Sequence, residues 1–446
     1  MIRNTKIAAA VAAVLATGSA MAGQPTPASA AAPFVSLYVA GSSAAKNAIL
    51  GAIETGICGS SFSLFSSTGN TNFFAVSCTP AANASLPGAN GTNIFTIWYR
   101  DEGGSVVGAL PLVSGSTINQ LSLAGATGSA GSYTVAVGGS SATNGIDDSF
   151  TGVSKQPVQL GITDVEPAAL VVNNYPSAYK SSVYGHATAA QLGGLTATTL
   201  FGQVFGIFVN TNSAAFSAAE KAGQGTATAS LSLPFEAITN ILQGNSTDWS
   251  HVPDTSGNAV GTTLPIVVVN REQGSGSRTS TDIFFTDDHC SPSASPILES
   301  TAGTADFFST GNVLASANTV PGSVTYASID NAGSTSFPNL TLVAVNGVQP
   351  SNLTAASGEY GDWFEATAVT GSNFSSLTTD QKGLISLLTS SFQTESSAPQ
   401  SAQVMAIPGN STNAASLPVS GTLSGKIYIN AFTRSGASCN SPLIGL

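Results

Sequence analysis

The pattern of hydrophobic and polar positions in this chain switches repeatedly between short strand-like runs and the 3.6-residue repeat of helices. Phe34 to Ala40, rich in Val, Tyr and Phe, reads as a strand. After Gly41-Ser42-Ser43, the residues Ala45, Ala48, Ile49, Ala52 and Ile53 share one helical face, with Ser43 or Ser42 as N-cap and Gly56 as stop. The same order returns three times. Ile94 to Tyr99 is a strand before Gly103-Gly104-Ser105, and Val158 to Thr163 is a strand before Asp164. Leu264 to Asn270 is a β-branched strand before Arg271, Gly274-Ser275-Gly276-Ser277 and a helix carrying Ile283, Phe284 and Phe285. Leu233 to Leu242 predicts a helix with Pro234 in its first turn, an apolar face of Phe235, Ile238, Ile241 and Leu242, and Gly244 as stop. Thr379 to Thr389 reads as a late helix and Lys426 to Phe432 as a final strand. Alternating strands and helices predict an α/β fold, in which ligands sit beyond the carboxyl ends of strands, where all four polar loops fall. Ser60 to Asn93 and Ser114 to Asp148 are dense in Gly, Ser, Thr and Asn and read as insertions or surface hairpins.

The start of the chain changes the picture of where it works. Arg3 and Lys6, the apolar run Ile7 to Leu15 and the Ala20-Met21-Ala22 site predict a signal peptide over residues 1–22. No other run of 18 apolar residues occurs, so no membrane insertion is expected after cleavage. The expected location is periplasmic or extracellular. Cys58, Cys78, Cys290 and Cys439 suit an oxidising compartment. Four cysteines allow three pairings, and the spacing suggests Cys58–Cys78 and Cys290–Cys439.

Charge is scarce. Only 8% of the 446 residues are charged, against about 25% in ordinary domains. The formal charge is −11, and losing Arg3 and Lys6 takes it to −13. Such a chain cannot coat a nucleic-acid backbone. Three scattered histidines and no CxxC pair leave little for metal sites. No G-x-S-x-G, HExxH or P-loop motif is present, so neither an enzyme nor a cofactor is expected.

Five segments in sequence resemble the exported phosphate-binding proteins that serve ATP-driven phosphate importers. The most specific is LPIVVVNREQGSGS, Leu264 to Ser277, where Arg271, Ser275 and Gly276 match the family pattern and Ser277 stands where Thr is usual. GITDVEP (Gly161 to Pro167), ITNILQGNSTDW (Ile238 to Trp249), PGSVTYASID (Pro321 to Asp330) and VNGVQPS (Val345 to Ser351, with Gly358-Glu359-Tyr360 after it) are similar to further family segments. The resemblance implies a two-lobed periplasmic-binding-protein type II fold with two crossover hinge strands, Val204 to Asn210 and Val324 to Ile329. Lobe one would be 33–207 plus 326–446, and lobe two 208–325. It also implies inorganic phosphate as ligand and a membrane ABC permease as partner.

The resemblance further implies a ligand set. Ser43 and the N–H of Ala44, then Ser105, then Ser275, Gly276 and Ser277 would donate to phosphate from three helix starts. Arg271 would offer a planar charged fork. Asp164 would accept a proton that phosphate carries and fully ionised sulfate lacks. Taken singly, these residues read as an N-cap, turns, a helix cap and a surface arginine paired with Glu272 or Asp282. Asp101, Glu102 and Glu166 would oppose an anion if they pointed inward; they are expected to face solvent, and Arg100 is placed to neutralise one of them. The alternative reading is an extracellular surface or interaction protein that keeps the fold with a vestigial or different oxyanion site.

Overall fold

A computed structural model describes residues 24–59, 61–139, 150–170, 187–287, 290, 306–392, 405–406, 421–423, 427–429 and 432–444. The expected signal peptide lies outside them. The chain is an α/β protein built on a large mixed sheet. At its centre β1 (Val35–Gly41) runs parallel to both β4 (Phe95–Arg100) and β5 (Leu160–Thr163). The helix after β1, α1 (Lys46–Ala52), buries Ala48, Ile49 and Ala52, as its periodicity predicts. The helix after β4, α2 (Gly104–Ser114), lies on β5 with Gly108 against Gly161, where any side chain would strike the opposing backbone.

The stretch 60–93, expected as an insertion or surface hairpin, forms a hairpin that widens this sheet. Its strands β2 (Phe62–Gly69) and β3 (Phe73–Cys78) form a hairpin, and β3 pairs antiparallel with β4. The stretch 114–148 likewise supplies Ser132–Val137, parallel to β2. Composition misled here because hydroxyls can be buried when they bond one another across a ladder. Ser77 meets Thr96 at 2.9 Å, Thr163 meets Thr367 at 2.6 Å and Thr211 meets Thr341 at 2.9 Å, all buried.

One long strand, β6 (Thr196–Asn210), leads out of this part of the molecule. Its first half pairs with β10 (Trp363–Thr370), which flanks β5. Its second half pairs with β8 (Ser323–Ser328) and β9 (Leu340–Val345). A second hydrophobic core gathers there, around Ile238 and Leu242 of α3 (Phe235–Leu242), Trp249, Val313 and Leu314 of α5 (Thr310–Thr319), Tyr326 and Leu342. The strand expected over 264–270 forms a ladder only as β7 (Val267–Val268) beside β8; Pro265, without an N–H, cannot extend it. Helix α4 (Gly276–Thr286) follows. Leu342, Val343 and Val345 pack in the second core, and the chain pairs with β6's first half from Trp363 onward. The late helix α6 (Thr379–Ser390) covers the first core, and the expected final strand is two short ones, Ile427–Ile429 and Phe432–Thr433. Both disulfides, Cys58–Cys78 and Cys290–Cys439, are formed. Among the described residues, no helix is long and apolar enough to cross a membrane.

The return crossover carries a buried carboxyl. Tyr360 Oη donates to the Phe205 carbonyl at 3.0 Å, and the Phe205 N–H donates to the Asp362 carbonyl at 2.9 Å. The Asp362 side chain is fully enclosed, and among the described residues no donor bonds its oxygens. Burial raises its pKa to about 8 against the opposing pull of Arg434. The folded state thus keeps a proton that the unfolded chain loses near pH 4, and stability falls as pH rises from there through 8. Asp362→Asn should therefore gain melting temperature over wild type as pH goes from 5 to 8. A gap that does not change with pH would refute the buried neutral carboxyl.

Candidate functional site

The loops after β1, β4 and β5, the turn into α4 and the start of α5 meet at one place. Asp164, the residue after β5, is 2% exposed. Its Oδ1 accepts from the Ser42 hydroxyl, and its Oδ2 accepts from Ser105 Oγ at 3.3 Å and Ser277 Oγ at 3.5 Å. Its own N–H donates to Ser105 Oγ at 3.0 Å. Burial raises the Asp164 pKa, while the Ser42, Ser105 and Ser277 hydroxyls and the charge of Arg271 pull it back. The carboxylate thus sits among hydroxyl donors, with no cation in direct contact among the described residues.

Arg271, 1% exposed, lies across from it. Its Nε donates to the Phe307 carbonyl at 2.9 Å, and Nε and Nη2 each lie 3.4 Å from a Glu272 oxygen. Its Nη1 donates to Thr310 Oγ1 at 3.0 Å and to Ser43 Oγ at 3.3 Å. Glu272 is therefore Arg271's partner, buried and not at the surface. Arg278, in the first turn of α4, donates from Nη1 to the Arg271 carbonyl at 2.9 Å and faces Asp282 at 3.7 Å.

Two glycines allow these parts to meet. Gly104 opens α2 with φ +65°, and a Cβ there would lie 3.0 Å from Glu272 Oε1 and 3.2 Å from Arg271 Nη2. Gly276 opens α4 against Ser105, and a Cβ there would collide with the Ser105 hydroxyl and lie 2.7 Å from Asp164 Oδ2. The backbone closes the same seam. Val106 N–H donates to the Gly274 carbonyl at 3.0 Å, and Gly103 N–H to Phe308 at 2.9 Å. Ser275 caps α4 by accepting from the Arg278 N–H at 3.4 Å.

Of the residues singled out in the sequence, Ser43, Ser105, Asp164, Arg271, Ser275, Gly276 and Ser277 lie near one another here. Ser43 does not cap α1, however. Ser42 does the local work, accepting from the Ala45 N–H at 2.8 Å while donating to Asp164. Ala44 lies in the core below, its carbonyl accepting from Gln203 at 2.7 Å. Ser42, Glu272 and Thr310 are the members that the sequence reading did not place. Thr310 carries a legible signal, since Ser309-Thr310-Gly311 precedes the apolar Val313 and Leu314 as a helix start.

The acids expected to face solvent do not. Asp101 and Glu102 are buried. Lys46 Nζ lies 3.2 Å from Asp101, and Arg100 lies 3.9 Å from Glu102. Asn70 also donates to Glu102 at 2.8 Å. The Arg100 guanidinium rests on the Phe73 ring. The Gly103-Gly104 turn that presents Ser105 drives these side chains inward, and each acid takes a cation with it. Glu166 is half-buried and bonds both the N–H and the hydroxyl of Ser438.

No family model and no curated protein matches this chain. Among solved structures it is similar to a candidate phosphate ABC transporter substrate-binding protein from Clostridium perfringens, solved with bound phosphate. That match has 15% identity and a TM-score of 0.43 over 79% of this chain and 92% of that one. An ABC-type phosphate transport receptor from Vibrio cholerae follows at 13% identity, TM-score 0.40, over 79% and 93% of the two chains. A phosphate-binding protein from Stenotrophomonas maltophilia has 14% identity and a TM-score of 0.36 over 76% and 79%. These likenesses are too loose to assign any residue its role.

The close approach at Gly276 has a measurable consequence. Gly276→Ala should lower unfolding stability by about 1–3 kcal/mol, as overpacking does. Gly311→Ala, in the first turn of α5 with no atom within 4 Å of the added carbon, should leave stability unchanged or raise it slightly. Equal effects in denaturant titrations would refute the contact.

Proposed function

We propose that this chain is an exported solute-binding protein that captures inorganic phosphate between two lobes and delivers it to a membrane ABC permease, in the periplasm or outside the cell. The two cores joined along β6 support the lobes. On the packing described above, lobe two runs to about residue 360. Hinge closure would then turn about β6 and the return at Trp363.

The observation that carries this reading is the buried Asp164 carboxylate, held by hydroxyls beside a buried arginine and the start of α4. A carboxylate in an anion site repels any ligand that brings no proton. Phosphate near neutral pH brings one; sulfate does not. Ser43, the Ala44 N–H, Ser105, Ser275, the Gly276 N–H and Ser277 would donate to the remaining oxygens, and Arg271 would supply the charge. Neither this role nor the chemistry of these groups calls for a cofactor or a bond-breaking step.

Phosphate at a hundredfold its Kd should stabilise the protein by about 2.7 kcal/mol, seen as a rise in melting temperature, and sulfate should not. No rise at millimolar phosphate defeats the proposal and favours a protein that works through its surface. Asp164→Asn should narrow the preference for phosphate over sulfate, which amounts to about 1–3 kcal/mol for a buried acceptor left unpaired; an unchanged preference removes Asp164 from that role. Arg271→Ala should abolish phosphate binding in calorimetry, and retained affinity would move the site elsewhere.

A further inference from the structure

Two donors in the site converge on one oxygen, and a hydroxyl lies within hydrogen-bond distance of it. Thr310 Oγ1 lies 2.8 Å from Ser43 Oγ, the Thr310 N–H donates to it at 3.3 Å, and Arg271 Nη1 donates to it at 3.3 Å. Arg271 Nη1 also reaches Thr310 Oγ1 at 3.0 Å, so the donors form one rigid unit. Its walls are buried: Arg271 is 1% exposed, Ser309 1% and Thr310 4%. Thr310 begins α5, a ten-residue helix. Ser309 caps it by accepting from the Asn312 N–H at 3.3 Å, which leaves the Thr310 N–H directed at Ser43. A guanidinium, a helix-start amide and a hydroxyl aimed at a single point suit an oxygen bearing full negative charge far better than they suit a neutral serine hydroxyl.

We propose that Thr310 is a direct ligand-contacting residue of the anion site, and that one ligand oxygen takes the position held by Ser43 Oγ. This rests on the anion-binding reading above. Ser43 belongs to the loop after β1, and Thr310 and Arg271 to the second core, so the ligand oxygen joins the two cores where Ser43 now does. Ser43 needs only to turn about its side-chain bond to donate to the incoming oxygen from the other side. The site then has two unlike ends. Asp164, with Ser42 and Ser105, takes a protonated oxygen; Thr310 and Arg271 take a bare one. The ligand class is a tetrahedral oxyanion that carries both an acidic proton and an unprotonated oxygen.

The test is calorimetric titration of the full-length mature protein with inorganic phosphate. Thr310→Val, which keeps the shape and removes the hydroxyl, should bind at least about tenfold more weakly, as expected for a hydrogen bond to a charged group. Thr310→Ser, which restores the hydroxyl, should bind within about threefold of wild type. Wild-type affinity in Thr310→Val overturns the proposal. If Thr310→Val does not fold, Thr310→Ala read against Thr310→Ser decides, since both lack the methyl group and only the serine keeps the hydroxyl. Thr310→Ala should bind at least about tenfold more weakly than Thr310→Ser, and equal affinity overturns the proposal. If wild type binds no phosphate at all, the anion-binding reading itself falls; binding by wild type with no effect of Thr310→Val removes Thr310 alone.

Discussion

A carboxylate without a cation in contact must be stabilised by donors from every side, and Asp164 is the point on which this structure converges. Its donors come from three separate loops: Ser42 after β1, Ser105 at the start of α2 and Ser277 at the start of α4. Ser42 and Ser105 belong to the part built on β1, β4 and β5, and Ser277 arrives from the far side of β6. Withdrawing Ser42 leaves Asp164 Oδ1 an unpaired buried acceptor, which costs about 1–3 kcal/mol. The bare glycines at 104 and 276 are the geometric condition for this meeting, because two helix starts and an arginine occupy space that a single methyl group would claim.

The scarcity of charge has a matching physical logic. Where acids are buried near this point, each has a cation at hand: Lys46 for Asp101, Arg100 for Glu102 and Arg271 for Glu272. Elsewhere the interior is tied by hydroxyl pairs across strands. Such pairs neither titrate nor respond to ionic strength. The pH response of the fold is therefore concentrated in a few enclosed carboxyls, Asp362 among them.

The main elements were legible because local pattern and tertiary packing agree in them. Helix α3 and the strands β1 and β4 follow their apolar spacing, and the Arg271 to Ser277 segment announces itself by residue type and interval. The illegible parts have particular causes. Strands β2 and β3 hide in Ser- and Gly-rich sequence because hydroxyls such as Ser77 and Ser63 find their partners only once distant segments are brought together. Asp101 and Glu102 look like solvent-facing acids until the Gly103-Gly104 turn folds them under. Leu340–Val345 has the composition of either core; only pairing with Phe208 to Asn210 places it. Thr310 follows Arg271 by 39 residues, and nothing in its neighbours points back across that interval.

The C-terminal segment ties the site to the state of its surroundings. Arg434 donates to the carbonyls of Trp363, Ser438 and Asn440, and Glu365 accepts from Thr433 and from the N–H groups of Arg434 and Gly436. Ser438 grips Glu166, two residues beyond Asp164, while the neighbouring Cys439 is bonded to Cys290 just past α4. One short loop thus fastens both the segment that presents Asp164 and the helix that presents Ser277. Of these fastenings only the disulfide is covalent. In an oxidising solvent the loop cannot leave without unfolding; in a reducing one it is held by polar contacts alone, so the redox potential of the compartment sets how firmly the two sides of the site are clasped.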